Sequence, residues 1–498
     1  MSGTAAGLQP ATLAPAQEGQ WELVCALSPG DPGSSHHIAV DNRHLSGPVD
    51  LQALRQAFED VTALHDALRL AFGTVGCDPV VHVRERIDPP VEFLDLSRVS
   101  ERRQRERIES LAFHESQRCF DLGTGPLWHA WVIRLGMDSY LINLVFFHVI
   151  ADGWSSKVFV DDLLAAYGAL TGAMPPPHAD ALSFAQIHAI QTRRLEPSAD
   201  RVRYWRDRLV PLPGGPLFAP SARADADPRA HSTIPFSLPD ATAAQLRKVA
   251  WQARTSPFVA LMAGYHLLLS MVAGRDRTVI STASLGRPTE RERKAILQFA
   301  CDPYVSTELP GSLTMLEAVR VTHDSVTTAM SNLTSYKSIA RAVNPDFDNS
   351  RPWPDCHLFD GNFYSWAFRR PATTTAGLRI REARMRVGTP AEYTPGLMWA
   401  HLPGPARRVW GVQGGPSMEV GIPRQAGRLH YNPEIYPVEL MQEFVDQYLR
   451  VVDVLAWHPG MRVGAMREHH ARQRGGTGGG SSPGRENRRD RVVSDQRG

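Results

Sequence analysis

The sequence predicts an α+β protein divided into two lobes. Three observations carry this: a length of 498 residues, strand-type and helix-period segments in both halves, and a proline-rich break between them. At roughly 150 residues per domain, so long a chain leaves room for two or three units. The break is 211–233, where Pro211, Pro213, Pro216, Pro220 and Pro228 stand among Gly, Ala, Ser and Asp. The expected division is a disordered N-terminus at 1–20, a first lobe at 21–210, the linker, a second lobe at 234–466, and a tail at 467–498. The tail is Gly, Ser, Arg and Asp, too poor in apolar residues to order itself.

The elements follow in order. Val49 to Phe72 is expected as one helix, because Leu51, Leu54, Phe58, Val61, Leu68 and Phe72 recur at three- and four-residue steps. Trp128 to Leu135 and Tyr140 to Phe147 are β-branched and aromatic. Gly136-Met137-Asp138-Ser139 between them predicts a hairpin. After Gly153 a helix period returns, with Val158, Phe159, Leu163, Leu164 and Tyr167. Pro175-Pro176-Pro177 stops it, and a helical stretch runs from about Ser183 to Leu209. In the second half a strand near Ile234–Leu238, a helix around Ser256–Val272 and a strand at Thr278–Ser281 are expected. The last helix spans Pro437 to Trp457, with Leu440, Phe444, Tyr448, Val451 and Leu455 on one face.

Composition excludes several classes. Hydrophobic content of 43% and charged content of 21% are those of an ordinary globular protein. A net charge of +2 gives no support to a nucleic-acid partner. No apolar run approaches the ~18 residues of a membrane span, and residues 1–20 lack the pattern of a signal peptide. Cys25, Cys77, Cys119, Cys301 and Cys356 are scattered with no CxxC spacing, so neither a disulfide frame nor a metal site is expected. They read as buried thiols in a cytoplasmic protein.

The chemistry centres on Phe147-His148-Val149-Ile150-Ala151-Asp152-Gly153-Trp154-Ser155. The apolar run Leu141 to Phe147 delivers a histidine to a strand end, which fixes an imidazole rigidly at a cleft, as general-base catalysis requires. Gly153 is read as supplying a backbone angle other residues resist. Asp152 either binds the imidazole directly or points away and holds the loop through an arginine. The one G-x-S-x-G match, Gly480-Ser481-Ser482-Pro483-Gly484, lies in the Gly/Ser-rich tail and not at a strand-to-helix turn, which favours direct transfer over a covalent acyl-enzyme.

His148-x-x-x-Asp152-Gly153-Trp154-Ser155 resembles the signature of nonribosomal-peptide condensation domains, a branch of the chloramphenicol acetyltransferase-like superfamily. Leu64-His65-Asp66-Ala67-Leu68-Arg69-Leu70-Ala71-Phe72 resembles the family's R-H-E-x-L-R-T-x-F helix motif, and Tyr204-Trp205-Arg206-Asp207-Arg208-Leu209 its Y-W-x-x-x-L motif. Gly274-Arg275-Asp276 and Ser284-Leu285-Gly286-Arg287-Pro288 resemble second-half segments. These pieces lie in family order across about residues 21–466. Two departures stand out. Phe147 replaces the first of two motif histidines, and a segment usually written G-x-F-x-N reads Gln298-Phe299-Ala300-Cys301-Asp302.

The resemblance implies two acetyltransferase-like lobes in a V-shaped pseudo-dimer with a tunnel between them. His148 would act on an attacking amine or hydroxyl, Asp152 would pair with Arg287, and the Gly153 N–H would steady the oxyanion. Arg69 and Trp205 would be structural, and Asn362, Trp154 and Ser155 would line the tunnel. No cofactor would be bound; the donor would arrive on the 4'-phosphopantetheine arm of a peptidyl or acyl carrier protein in trans. The acceptor would be a small amine or alcohol. The implied protein is a monomeric, free-standing condensation enzyme that forms an amide or ester in secondary metabolism. Rival readings are an O-acyltransferase using acyl-CoA or a carrier-bound lipid, and a non-catalytic module that recruits a partner to a carrier protein. An epimerisation domain fits the Trp154-Ser155 continuation less well. A heterocyclisation domain would place an aspartate where His148 stands.

Overall fold

A computed structural model describes residues 11–21, 38–75, 78–116, 118–174, 181–210, 232–343, 359–365, 373–383, 417–421, 426–434 and 436–468. It has the expected α+β architecture of two lobes, each a six-stranded sheet with helices packed on it.

In the first lobe the strand order is Thr373–Thr375, Leu378–Glu382, Ile38–Ser46, Ser139–Phe147, Trp128–Gly136, Val91–Asp95. The expected hairpin is present: Trp128–Gly136 and Ser139–Phe147 run antiparallel, with Trp128 opposite Phe146. Both faces of Ser139–Phe147 are covered, which is why its sequence reads as a continuous apolar run rather than an alternation. Trp128 is fully buried between Phe146, Phe159 and Phe58. Its indole N–H donates to the Leu68 carbonyl at 3.1 Å. The second lobe orders its strands Tyr304–Glu308, Arg277–Ser281, Gly361–Ser365, Ser417–Gly421, Ala426–Tyr431, Ser232–Ser237. Its core helices include Pro257–Ala273 and Val438–Trp457, the latter burying Phe444, Tyr448, Val451 and Leu455. Among the described residues no single helix is long and apolar enough to cross a membrane.

Several expectations are corrected. The helix read as Val49 to Phe72 is Leu51–Leu64, capped by Asp50, whose carboxylate accepts from the amides of Gln52 and Ala53. It stops because His65 takes an extended backbone and binds Asp162 at 2.7 Å. Leu70–Val75 is then a strand paired with Asp78–Val83. The stretch 183–209 is two helices, Phe184–Leu195 and Ala199–Leu209, broken at Pro197. Residues 11–20 are ordered, not loose. Ala11–Thr12 pairs with Val80 and Val81, Leu13 and Ala14 are buried, and the fully buried Gln17 donates to the Val149 carbonyl at 2.7 Å. Ser232 and Thr233, placed in the linker, open a strand; 211–231 lie outside the described residues. Arg467, placed in the tail, pairs with Asp276 at 2.5 Å, while 469–498 lie outside the described residues. Cys119 is exposed and Cys301 only partly buried; Cys25, Cys77 and Cys356 lie outside the described residues.

Core membership crosses the proline-rich break in both directions. Trp205 and Leu209 belong to the second lobe's core. Ala295, Ile296, Leu297 and Phe299 belong to the first lobe's core, as do Leu378 and Ile380. The strand carrying Leu378 and Ile380 pairs antiparallel with Arg43–Ser46.

Candidate functional site

The motif sits where the central strand of the first lobe ends. Phe147 is the last strand residue, and its amide donates to the Leu127 carbonyl at 2.9 Å. Its ring is 2% exposed and meets Phe120 edge-on at 5.9 Å, so the departure at this position is a packing residue. The chain then makes a tight turn, with Ile150 N–H donating to Phe147 and Ala151 N–H to His148. Asp152 closes the turn as N-cap of the helix Gly153–Leu170.

His148 is 8% exposed. Burial lowers its pKa below the usual histidine value, because the charged imidazolium is poorly solvated there. The Asp152 charge, the residue's own carbonyl and the Gln298 side chain pull the other way without overcoming burial. No well-formed hydrogen bond reaches the buried Nδ1. The result is a neutral imidazole at physiological pH, able to take a proton.

Asp152 does not serve the imidazole directly. Its Oδ1 accepts from Trp154 N–H (3.1 Å), Ser155 N–H (2.9 Å) and the Ser155 hydroxyl (2.9 Å). Its Oδ2 accepts from Arg287 Nη1 (2.6 Å), Phe299 N–H (3.0 Å) and Ala300 N–H (3.1 Å). Of the two roles the sequence left open, the geometry is that of the loop anchor. Burial pushes the carboxyl's pKa up, but the Arg287 charge and these donors bring the net shift below the usual aspartate value. Arg287 is 3% exposed, stacks on Phe299 at 4.2 Å, and also donates to Ser155 Oγ and the Leu297 carbonyl. A buried charge pair of this kind depends on hydrogen bonds to its remaining lone pairs and protons; both carboxylate oxygens have theirs, while Arg287 Nε finds no acceptor among the described residues. Here one carboxylate gathers a helix N-terminus, an arginine and two main-chain amides from the segment 297–300.

The remaining expected site residues separate by what they touch. Gly153 does not adopt a positive φ; the reading based on an unusual angle is corrected. As the first residue of a helix it needs none. The cap takes the second and third amides and leaves the Gly153 N–H without an acceptor among the described residues. Ser155 is fully buried inside the Arg287–Asp152 knot, so it does not line a tunnel; both of its hydrogen-bonding directions are spent. The Trp154 indole donates to the Arg293 carbonyl at 2.7 Å, across to the second half of the chain. Arg69 binds Asp66 and the carbonyls of Thr62, Ala63 and Glu85, tying the helix Leu51–Leu64 to the small sheet. Trp205 is buried with its indole on the Asn332 carbonyl at 2.8 Å. Asn362 lies on Gly361–Ser365 opposite Ser281 and accepts from the Tyr364 hydroxyl.

Sequence reasoning missed Gln298, which stands beside the imidazole and was visible only as a departure from the family pattern. Gly286 was read only as part of a motif. Its φ is +68°, and a Cβ there would lie 2.0 Å from the Phe299 carbonyl oxygen, so no other residue fits. This close approach brings Arg287 under the segment whose amides hold Asp152. Among the described residues no group of three or more His, Cys, Asp or Glu is placed to hold a metal ion.

Comparison with known proteins decides the family. The condensation-domain model matches residues 8–334. The chain belongs to the condensation-domain family. Phosphinothricin tripeptide synthetase PhsB of Streptomyces viridochromogenes is 28% identical over 317 residues, covering 62% of this chain and 26% of that protein. A protein named "Probable non-canonical nonribosomal peptide synthetase CymA", of Salinispora arenicola, is 25% identical over 437 residues, 85% of this chain and 5% of that one. The chain thus spans about a quarter or less of the length of these relatives. Among solved structures, SgcC5 of Streptomyces globisporus superposes with a TM-score of 0.70 at 23% identity, covering 91% of this chain and 100% of that one. The X-domain from teicoplanin biosynthesis gives 0.72 at 20%, covering 92% and 98%. Both likenesses are of fold.

Proposed function

We propose that this condensation-family chain transfers an acyl group from a carrier-protein thioester directly to an amine or hydroxyl, forming an amide or ester. The observation that carries the reading is the His148 imidazole, held neutral by burial at a rigid strand end. In the proposed reaction His148 takes the proton from the attacking nitrogen or oxygen. The new N–C or O–C bond forms as the thioester carbonyl becomes a tetrahedral oxyanion. The C–S bond then breaks, and the departing sulfur takes up the proton from His148. The unspent Gly153 N–H is the donor offered to the oxyanion. Asp152 and Arg287 act by holding the turn, not by touching substrate.

No cofactor is proposed beyond the phosphopantetheine arm on which the carrier delivers the donor. Purified full chain, separately purified acyl-carrier protein and candidate acceptors provide the test, and also probe delivery in trans. Product formation should fall about 10²–10⁴-fold in His148→Ala, the usual contribution of a general base. Undiminished turnover in that variant would sink the reading, and no turnover by the wild type with any donor would favour a recruitment role. A product formed equally from acyl-CoA would move the assignment to the related O-acyltransferases.

A further inference from the structure

The departure Gln298-Phe299-Ala300-Cys301-Asp302 lines one wall of a cavity. It opens to solvent and has an internal volume of about 60 Å³. The opposite wall is the ordered N-terminal segment at Pro15 and Gly19 together with Leu333 and Ile339 of the second lobe. The walls are tied together: Ala16 N–H donates to Gln191 Oε1, and Gln191 Nε2 to the Gln298 carbonyl, both at 3.0 Å. Gln298 is shared between this cavity and His148.

Asp302 is the one acid lining the cavity, and its carboxylate has neither a hydrogen bond nor an ion pair among the described residues. Burial pushes its pKa up to about 7. Its charge is felt by Cys301, Tyr304 and Tyr364, none of which supplies a compensating cation. Two buried carboxylates of the same region each have a cation: Asp152 takes Arg287, and Asp360 takes Arg275. A carboxylate without counter-charge among the described residues, facing a cavity whose walls mix apolar side chains such as Leu333 and Ile339 with polar ones such as Thr334 and Ser335, is complementary to a ligand with a protonated nitrogen on a short hydrocarbon body.

We propose that this cavity is a binding site for an alkylammonium group, with Asp302 as its counter-ion. The inference deepens the function proposed above by making the acceptor an amine-bearing compound, and it rests on that reading for the acceptor's role. The binding itself does not require turnover.

The test measures affinity of the full chain for n-pentylamine and for n-pentanol, which matches it in length but carries no charge. Wild type should bind the amine on the order of tenfold more tightly, the discrimination expected of a charge-assisted contact in a partly dry site. Asp302→Asn is nearly isosteric and restores the amide of the family pattern. It should abolish the preference while leaving alcohol affinity within about twofold, with circular dichroism verifying the fold. His148→Ala should keep the preference. Equal affinities in wild type, no binding of either compound, or a preference that survives Asp302→Asn would each overturn the proposal. Loss of the acyl-transfer reading with the amine preference intact would leave the site standing without its assigned acceptor.

Discussion

Replacing Asp152 by Asn tests the claim that this carboxylate is a structural knot. The side chain keeps its size but exchanges one acceptor oxygen for an NH₂. Three donors face each oxygen, so either orientation of the amide sets an NH₂ against three N–H or O–H groups. In either orientation the Arg287 guanidinium, at 0% side-chain exposure, loses its one charged partner among the described residues. Breaking a buried pair from one side costs about 3–5 kcal/mol. At roughly 2–4 °C per kcal/mol, the first thermal transition should fall by about 6–20 °C. Arg287→Met removes the charge but leaves five of the carboxylate's six donors, so about 1–3 kcal/mol is expected. The double variant should cost clearly less than the sum, with a coupling of about 2 kcal/mol or more. Calorimetry and urea unfolding, followed in both lobes, measure this cycle. A loss below about 1 kcal/mol in Asp152→Asn, or additive single variants, would refute the reasoning.

Three further outcomes are expected. The pKa of His148 is lowered, so the neutral form persists below the ordinary histidine value; the acid limb of the pH–rate profile should have its midpoint below about 6.5, and a midpoint above 7 contradicts a buried base. Gly286→Ala should destabilise by about 2–4 kcal/mol, from the positive φ together with the clash on the Phe299 carbonyl, and should lower turnover without touching substrate; an unchanged unfolding midpoint would contradict it. Asp302 has a folded pKa raised from 3.8 to about 7, so its ionisation costs stability increasingly as pH rises from 4 to 7, and fully above that. Asp302→Asn should therefore stabilise the chain by about 1–3 kcal/mol at pH 8 and much less at pH 5, measured by urea midpoints.

What the sequence disclosed follows from how locally each feature is encoded. The hairpin at Trp128–Phe147 and the helix Val438–Trp457 were legible because their periodicity is strong and their ends carry turn or proline signals. Leu68 and Phe72 fit a helix spacing equally well, yet they belong to a turn and a strand. The pairing of Leu70–Val75 with Asp78–Val83 and the bond from His65 to Asp162 decide it, and neither leaves a mark on local spacing. The N-terminal segment was unreadable for a similar reason: its order comes from Gln17 finding a carbonyl 132 residues away. The site was half legible. His148 and Asp152 stand four apart in one motif, but the partner that defines Asp152's role is 135 residues on and was indicated only by family resemblance. Gln298 and the amides of Phe299 and Ala300 act through position, not through a recognisable residue pattern.

The strand Leu378–Glu382, antiparallel to Arg43–Ser46, bears on how the chain is made. On the ribosome the first lobe emerges as an unfinished object. Until residue 287 is synthesised, Asp152 has no Arg287 counter-charge, and until residue 382 the strand Ile38–Ser46 lacks one of its two strand partners. Nascent chains arrested near residue 233 should therefore be sticky and protease-sensitive, and gain protection stepwise as the later segments arrive. The turn at His148 is therefore braced only after the later segments of this sequence have been made and have packed against it.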